Sequence, residues 1–155
     1  MKKIFIGCPF IKFIEHSEFT DKRFRKFIED LYDICSKYAQ NVFLALKREE
    51  FGKKRIKKYS CLMDLQEAEN CDLAVIVPDD SMGVAVEIGW LSAMKKPIIL
   101  ILSKKKDYTP LVFNIDKITP CIKIFYDDKE EECLDKVKEI VACCEGNKNG
   151  KNFIY

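Results

Sequence analysis

Five short runs of almost continuous apolar residues alternate along this chain with segments whose apolar residues recur at helical spacing. The runs occupy residues 3–7, 41–45, 72–77, 97–102 and 121–126. A strand that is apolar on both faces has to be buried on both faces, and helices between successive strands supply that cover. The pattern therefore predicts an α/β fold with a doubly wound, five-stranded parallel sheet, in the flavodoxin/Rossmann-like strand order 2-1-3-4-5.

The segments between these runs predict the main helices and a single domain. Helices are expected at residues 24–35, 60–70, 83–94 and 130–144. Ser17 or Thr20 is the expected cap of the first helix. With 155 residues, of which 48% are apolar, the chain can bury a substantial core. We interpret residues 1–146 as one domain and residues 147–155 as a polar C-terminal tail.

Charge and cysteine content argue against several classes of protein. The 27 basic and 25 acidic residues nearly balance, and the basic runs at 53–58 and 104–106 lack interleaved aromatics, so a solvated surface is favoured over a nucleic-acid partner. The eight cysteines include no C-x-x-C pair, and His16 is the single histidine, which indicates neither a zinc site nor a disulfide framework. Buried, reduced thiols in a cytoplasmic protein are the simplest interpretation. We expect no signal peptide and no membrane-spanning segment.

The expected strand order locates a ligand site before any motif is considered. In such sheets ligands bind beyond the carboxyl ends of the strands that flank the switch point, which here are the first and third strands. The loops concerned are residues 7–10 and 78–83. The second loop opens a helix whose free N–H groups favour an anion, while Ser81 adds a hydroxyl group and Gly83 allows close approach. An ordinary helix cap at Ser81 is the alternative.

Two carboxylates are the candidate catalytic residues. Glu87 lies within the apolar stretch V-A-V-E-I-G-W and shares one helix face with Gly83. A carboxylate among apolar neighbours is costly unless it is partnered or protonated, and catalytic carboxylates are common in that setting. Asp64 shares the inner side of its own helix with Cys61. We expect both carboxylates to face one crevice, although a dipole-stabilising Glu87 and a solvated Asp64 are the simpler alternatives.

Together these features resemble the nucleoside 2-deoxyribosyltransferase superfamily. The resemblance covers residues 3–126 and is carried by "IFIGCPF", by the aspartate of the helix before "CDLAVIV", and by "SMGVAVEIGWLSAMKKPIIL". Transferases of free nucleosides typically carry an aspartate six residues before the glutamate, where this chain has Ser81. Serine at that position resembles the branch that hydrolyses nucleoside 5'-monophosphates, because an aspartate would repel a phosphate that a neutral donor can bind.

A second stretch, "LALKREEFGKKRIKKYSCLMDLQEAENCD", is similar to the CMP and hydroxymethyl-CMP hydrolases. This resemblance implies that Arg48 and Glu49 lie near the base or its lid and that Phe10 lies near the plane of the ring. It also implies that Gly7 and Cys8 belong to the substrate site. The Cys-Pro-Phe sequence of this first loop and the "NFIY" ending are closer to the transferases, so both activities remain open.

The resemblance also implies a partner subunit. Thr109 matches the position at which relatives supply a hydroxyl group from the neighbouring subunit, and Asn114 resembles an asparagine of the transferases. A homodimer, with each active site completed by the other subunit, is therefore expected.

The implied reaction is hydrolysis of the N-glycosidic bond of a CMP-like nucleotide through a covalent intermediate on Glu87. Asp64 would orient the sugar or protonate the leaving base, and Ser81 and Gly83 would hold the phosphate. No metal and no organic cofactor is required. The alternatives are a transferase that exchanges bases on free deoxynucleosides, a nucleotide-binding module without catalysis and, more remotely, an NAD-cleaving enzyme.

Overall fold

The computed structural model describes residues 1–56 and 58–146 and contains the five-stranded sheet that the sequence predicts. The strands are β1 (Lys3–Gly7), β2 (Ile14–Glu15), β3 (Glu18–Phe19), β4 (Asn41–Leu44), β5 (Leu73–Ile76), β6 (Ile98–Ser103) and β7 (Cys121–Tyr126). The α-helices are α1 (Lys22–Ser36), α2 (Ala45–Arg48), α3 (Ser60–Asn70), α4 (Met82–Ala93), α5 (Pro110–Phe113) and α6 (Glu130–Gly146).

The sheet has the order β4-β1-β5-β6-β7, and each pair of neighbouring strands is parallel. Numbered by chain position among these five strands, this is the 2-1-3-4-5 order, so the predicted fold class is confirmed. In the register, Ile4 of β1 lies opposite Val42 of β4 on one side and Leu73 of β5 on the other. The switch point therefore falls between β1 and β5, as expected from the sequence.

Helices cover both faces of the sheet because the strand residues alternate between two core clusters. Ile4 and Ile6 belong to a cluster with buried residues of α1 and α6, whereas Phe5 belongs to a cluster with buried residues of α3 and α4. Each large apolar side chain buried in this way contributes about 1.5–3 kcal/mol relative to an exposed one. The two layers thus fix α3 and α4 side by side on one face of the sheet.

The first helix begins differently from the prediction. Its N-cap is Asp21, whose carboxylate accepts the N–H of Phe24 at 2.9 Å, and neither Ser17 nor Thr20 has that role. Ser17 lies in the turn between β2 and β3, with φ of 67°. Thr20 instead bonds through its hydroxyl group to the carbonyl of Phe13. Ser17 and Thr20 are therefore part of, or next to, the hairpin formed by β2 and β3, and neither is available to cap the helix.

Three further points concern the rest of the chain. The expected polar tail at residues 147–155 lies outside the described residues. Within residues 1–56 and 58–146, no helix is both long and apolar enough to cross a membrane. All eight cysteines are free thiols. The expectation that they are buried is wrong for Cys61 and Cys143, which are exposed, while Cys121 and Cys144 are half-buried.

Candidate active site

The loops after β1 and β5 lie side by side at the carboxyl edge of the sheet, because Gly7 at the end of β1 is opposite Ile76 at the end of β5. Gly7 has no room for a side chain. A Cβ atom there would lie 2.6 Å from Glu87 Oε2 and 2.8 Å from Ile76 Cδ1. The carboxyl group of Glu87 therefore presses against the end of β1, in the crevice between the first and third strands of the sheet.

Helix α4 holds Glu87 in this crevice. Its neighbours Val84 and Ile88 pack into the second core cluster, and Glu87 Oε2 is buried without a hydrogen-bond partner among the described residues. Burial raises the pKa of Glu87 from 4.5 to about 8; the negative charge of Asp64 adds to the rise and the positive charge of Arg48 opposes it. Burial therefore favours the neutral form of this carboxyl group.

Asp64 of α3 is bound by Arg48, the last residue of α2. Arg48 Nη1 donates to Asp64 Oδ1 at 2.6 Å, and Nη2 donates to Glu49 Oε1 at 3.2 Å. The guanidinium group also lies over the ring of Phe43, 5.3 Å from its centroid. Glu49 is only 4% exposed. Arg48, Glu49, Asp64 and Glu87, all selected from the sequence, thus form what we call the charged cluster.

The protonation of Asp64 is set by two opposing effects. Burial raises the pKa of Asp64, and the hydrogen bond and positive charge of Arg48 limit that rise, while Glu67 adds to it. The side chains of Arg48 and Asp64 are each 17% exposed, so this ion pair is largely shielded from solvent. Asp64 is therefore a paired carboxylate of the site, and the alternative of a solvated helix residue does not describe it.

Ser81 is the N-cap residue of α4. Its hydroxyl oxygen accepts the N–H of Val84 at 3.4 Å, and its carbonyl accepts the N–H of Ala85 at 3.1 Å. The N–H groups of Met82 and Gly83 belong to the first turn and have no intrahelical acceptor. A Cβ atom on Gly83 would meet only Ser81 Oγ, at 3.8 Å. The amino end of α4 is therefore open to an anion.

Asp79, a residue that the sequence did not single out, joins three loops at this edge of the sheet. Its carboxylate pairs with Lys12 and, at 2.5 Å, with Lys106, and it accepts the N–H of Asp80 at 2.9 Å. Burial alone would raise the pKa of Asp79, but the bonds from Lys106 and Lys12 outweigh it and lower that pKa. No local motif marks these pairs, because the partners are 67 and 27 residues away along the chain.

A cleft of about 240 Å³ lies beside Asp79, between the loops that follow β5 and β6. Its lining includes Lys106, Tyr108 and Thr109. Thr109 is exposed and caps α5 by accepting the N–H of Val112 at 3.4 Å. Asn114 is exposed at the end of α5, and no hydrogen bond within the described part of the chain joins Thr109 or Asn114 to the charged cluster.

Cys8 and Phe10 occupy the loop after β1. Cys8 is buried, and its pKa is raised by that burial and by nearby Glu87, so the thiol stays protonated and is a poor nucleophile. Phe10 is half-buried and packs against the first core cluster, just before the short helical turn Ile11–Phe13. Cys8 is thus close enough to Glu87 to feel its charge, whereas Phe10 contacts the core cluster.

Comparison with known proteins gives similarity at the level of structure. No protein-family model matches the chain, and no curated protein matches it significantly. Among solved structures, the CMP N-glycosidase BcmB of Clostridium botulinum is 27% identical, with a TM-score of 0.70 over 90% of this chain and 99% of BcmB. The solution structure of BlsM is 22% identical, with a TM-score of 0.76 over 99% of this chain and 97% of that one.

A conserved protein of Enterococcus faecalis V583 is 18% identical, with a TM-score of 0.63 over 90% of this chain and 99% of that one. At these identities, BlsM and the Enterococcus protein show a shared fold. The similarity to BcmB confirms the resemblance to the nucleotide N-glycosidases that the sequence indicated. The chain thus shares its α/β architecture with BcmB, and a carboxyl oxygen is buried at its switch point.

Proposed function

We propose that this protein is a nucleoside 5'-monophosphate N-glycosidase, which hydrolyses a CMP-like pyrimidine nucleotide to the free base and (deoxy)ribose 5-phosphate. One observation carries the proposal: the buried carboxyl group of Glu87 lies against Gly7, one turn inside a helix whose amino end is open to an anion. The structural similarity to BcmB, a CMP N-glycosidase, supports the same class of reaction.

In the proposed mechanism, ionised Glu87 attacks the anomeric carbon of the sugar. The bond from that carbon to the base breaks, its electron pair passes to the base nitrogen, and a covalent glycosyl ester forms on Glu87. A water molecule then attacks the same carbon and gives one proton to the solvent, which releases the sugar phosphate and regenerates the carboxylate. Asp64, paired with Arg48, orients the sugar, and the leaving base takes the proton that it requires from the solvent.

The phosphate is assigned to the amino end of α4. Ser81 and the N–H groups of Met82 and Gly83 are neutral donors at the positive end of the helix dipole, which suits a dianion. Arg48 and Glu49 are assigned to the base side of the crevice, together with Phe10. Gly7 and Cys8 line the β1 edge of the same site.

We also propose that the protein is a homodimer. The outer face of α4 carries Met82, which is 88% exposed, and Val86, and α3 next to it exposes Leu62 and Met63. A helix that is apolar on all sides is usually covered. A second copy that covers this face would bring its Thr109 or Asn114 towards the site, where the described chain alone does not. The eight free thiols support a cytoplasmic setting.

The decisive experiment incubates the purified protein with CMP, dCMP, cytidine and deoxycytidine and measures free base by chromatography. We expect base release from a monophosphate and little from the free nucleosides. Glu87→Ala should lose at least about a thousandfold in rate, as removal of a covalent nucleophile does. The matched control, Glu139→Gln, changes an exposed glutamate of α6 and should retain full activity.

Two alternatives make different predictions in the same assay. A deoxyribosyltransferase, which the Cys-Pro-Phe loop favours, would exchange the base of deoxycytidine only when a second free base is added. A binding module would release no base and would bind CMP equally well after Glu87→Ala. Wild-type turnover by Glu87→Ala would exclude the proposed mechanism.

A further inference from the structure

Two buried polar atoms of the charged cluster have no hydrogen-bond partner among the described residues, namely Arg48 Nε and Glu87 Oε2. An unpartnered buried carboxylate oxygen is costly when the group is ionised and much less so when the group is neutral. Asp64 differs, because Arg48 Nη1 donates to its Oδ1 at 2.6 Å. A negative charge is therefore better stabilised on Asp64 than on Glu87.

Arg48 is held beside Asp64 by further contacts. Its Nη2 donates to Glu49, which is almost fully buried, and its guanidinium group lies over the ring of Phe43. The backbone carbonyl of Glu49 accepts the N–H groups of Gly52 and Lys54, so the residue that anchors Arg48 is itself held by the loop that follows. These contacts hold the guanidinium group at Asp64, and none of them joins it to Glu87.

The charges that act on the two carboxyl groups come from several elements. Glu87 interacts with Asp64 of α3, with Arg48 of α2 and with the Cys8 thiol at the end of β1. Asp64 interacts with Arg48 and with Glu67 of its own helix. With all groups ionised, the charged cluster holds three negative charges and one positive charge, which favours the uptake of one proton.

We propose that Arg48 is a positioning residue that determines which carboxyl group takes this proton: its ion pair keeps Asp64 ionised and leaves Glu87 as the neutral acid before substrate binds. Glu87 must then lose its proton to the solvent before it can act as a nucleophile. Arg48 thereby sets the pH above which the site is active. The kinetic consequence depends on the proposed function, whereas the distribution of the proton does not.

A titration of the ligand-free protein tests the inference without any substrate. Glutamate labelled with ¹³C in the side-chain carboxyl group gives one signal per residue, and the signal of Glu87 is the one lost in Glu87→Gln. We expect its midpoint near pH 8. In Arg48→Gln the proton should be shared with Asp64, so the signal of Glu87 should titrate in two steps, whereas Arg48→Lys, which keeps the charge, should retain one step near the wild-type midpoint. Arg23→Gln, an exposed arginine of α1, is the control and should leave it unchanged.

Asp64→Asn supplies an independent test that needs no change at Arg48. If Asp64 is ionised in the protein titrated without substrate, the loss of its charge lowers the midpoint of Glu87. An unchanged midpoint would mean that Asp64 already carries the proton, which would overturn the inference. Titration of Glu87 at an ordinary carboxyl value in the wild-type protein would overturn it as well.

Kinetics provide the second readout. The acidic limb of the pH profile of kcat/KM for CMP should move to higher pH in Arg48→Gln and largely return in Arg48→Lys. A merely structural role of Arg48 would lower the whole profile without moving the limb, and that result would count against the inference. If the wild-type protein cleaves no nucleotide, the proposed function fails, and the titrations still decide where the proton lies.

Discussion

At the scale of single residues, the contact between Gly7 and Glu87 is the tightest constraint on the site. The backbone of β1 and a carboxyl oxygen of α4 approach so closely that even a methyl group at position 7 would collide with both Glu87 and Ile76. Glycine is needed here for space and not for an unusual backbone angle, because Gly7 does not have a positive φ.

Gly7→Ala should destabilise the protein by about 1–3 kcal/mol, because the new methyl group overpacks the end of β1. It should also reduce nucleotide cleavage by displacing the Glu87 carboxyl group. Gly89→Ala is the matched control, since a Cβ atom there has nothing within 4 Å, and we expect it to be neutral or stabilising by up to about 1 kcal/mol. Urea denaturation of both variants checks this, and equal stability would contradict it.

Glu87 itself should make stability depend on pH. Its folded-state pKa of about 8 lies above the ordinary value of 4.5, so the folded protein binds the proton more tightly than the unfolded chain does. The contribution of this proton to the free energy of unfolding is therefore complete below pH 4.5 and is lost as the pH rises from there through about 8. Glu87→Gln should exceed the wild type by roughly 2–4 kcal/mol at pH 9 and by much less at pH 5. Urea denaturation at both pH values measures the difference, and the same gain at each would refute the burial argument.

At the scale of secondary-structure elements, the sequence predicted regular segments well and single turns poorly. The helix at residues 60–70 and the strand at residues 121–126 have the predicted bounds, because a long apolar pattern determines them. Ala45 was assigned to a strand but begins α2, since four residues are too few for helical periodicity to be visible. The hairpin of β2 and β3 is not predicted either, because its two-residue strands are too short to show an alternating pattern.

Some residues of the candidate site could be predicted from the sequence and others could not. Glu87 and Asp64 could be selected because a carboxylate on an apolar helix face is visible in the sequence itself. The pairs of Asp79 with Lys12 and Lys106 could not, because each joins residues of different loops. The sequence contains no period or motif that relates such residues, and only the folded sheet brings their loops together.

Asp79 should stabilise these loops by about 1 kcal/mol, given that its two lysine partners are partly exposed. Its folded-state pKa is lowered, so this contribution is present above the ordinary value of 3.8 and is lost as the pH falls through the lower folded value. Asp79→Asn should therefore be less stable than the wild type at pH 7, with a difference that shrinks below pH 3.8. Urea denaturation at matched ionic strength tests this, and a constant difference would exclude the ion pairs as its source.

At the scale of the whole molecule, the apolar outer face of α3 and α4 predicts association. Wild-type protein should elute as a dimer in size-exclusion chromatography with light scattering. Val86→Glu and Leu62→Glu each place a charge on this face, where both side chains are about half exposed, and should yield folded monomers with reduced activity. Lys138→Glu, on the exposed side of α6, should remain dimeric. A monomeric wild-type protein at micromolar concentration would argue against the dimer.

Three consecutive residues of α4 point in three directions. Val86 reaches the outer surface, Glu87 enters the crevice at β1, and Ile88 packs into the core beneath the sheet. A twelve-residue helix with these neighbours has almost no side on which mutations can accumulate freely. During divergence, α4 should therefore change more slowly than the surface of α6, and replacements that do become established should arrive together with compensating changes at position 7 or in the core beneath Ile88.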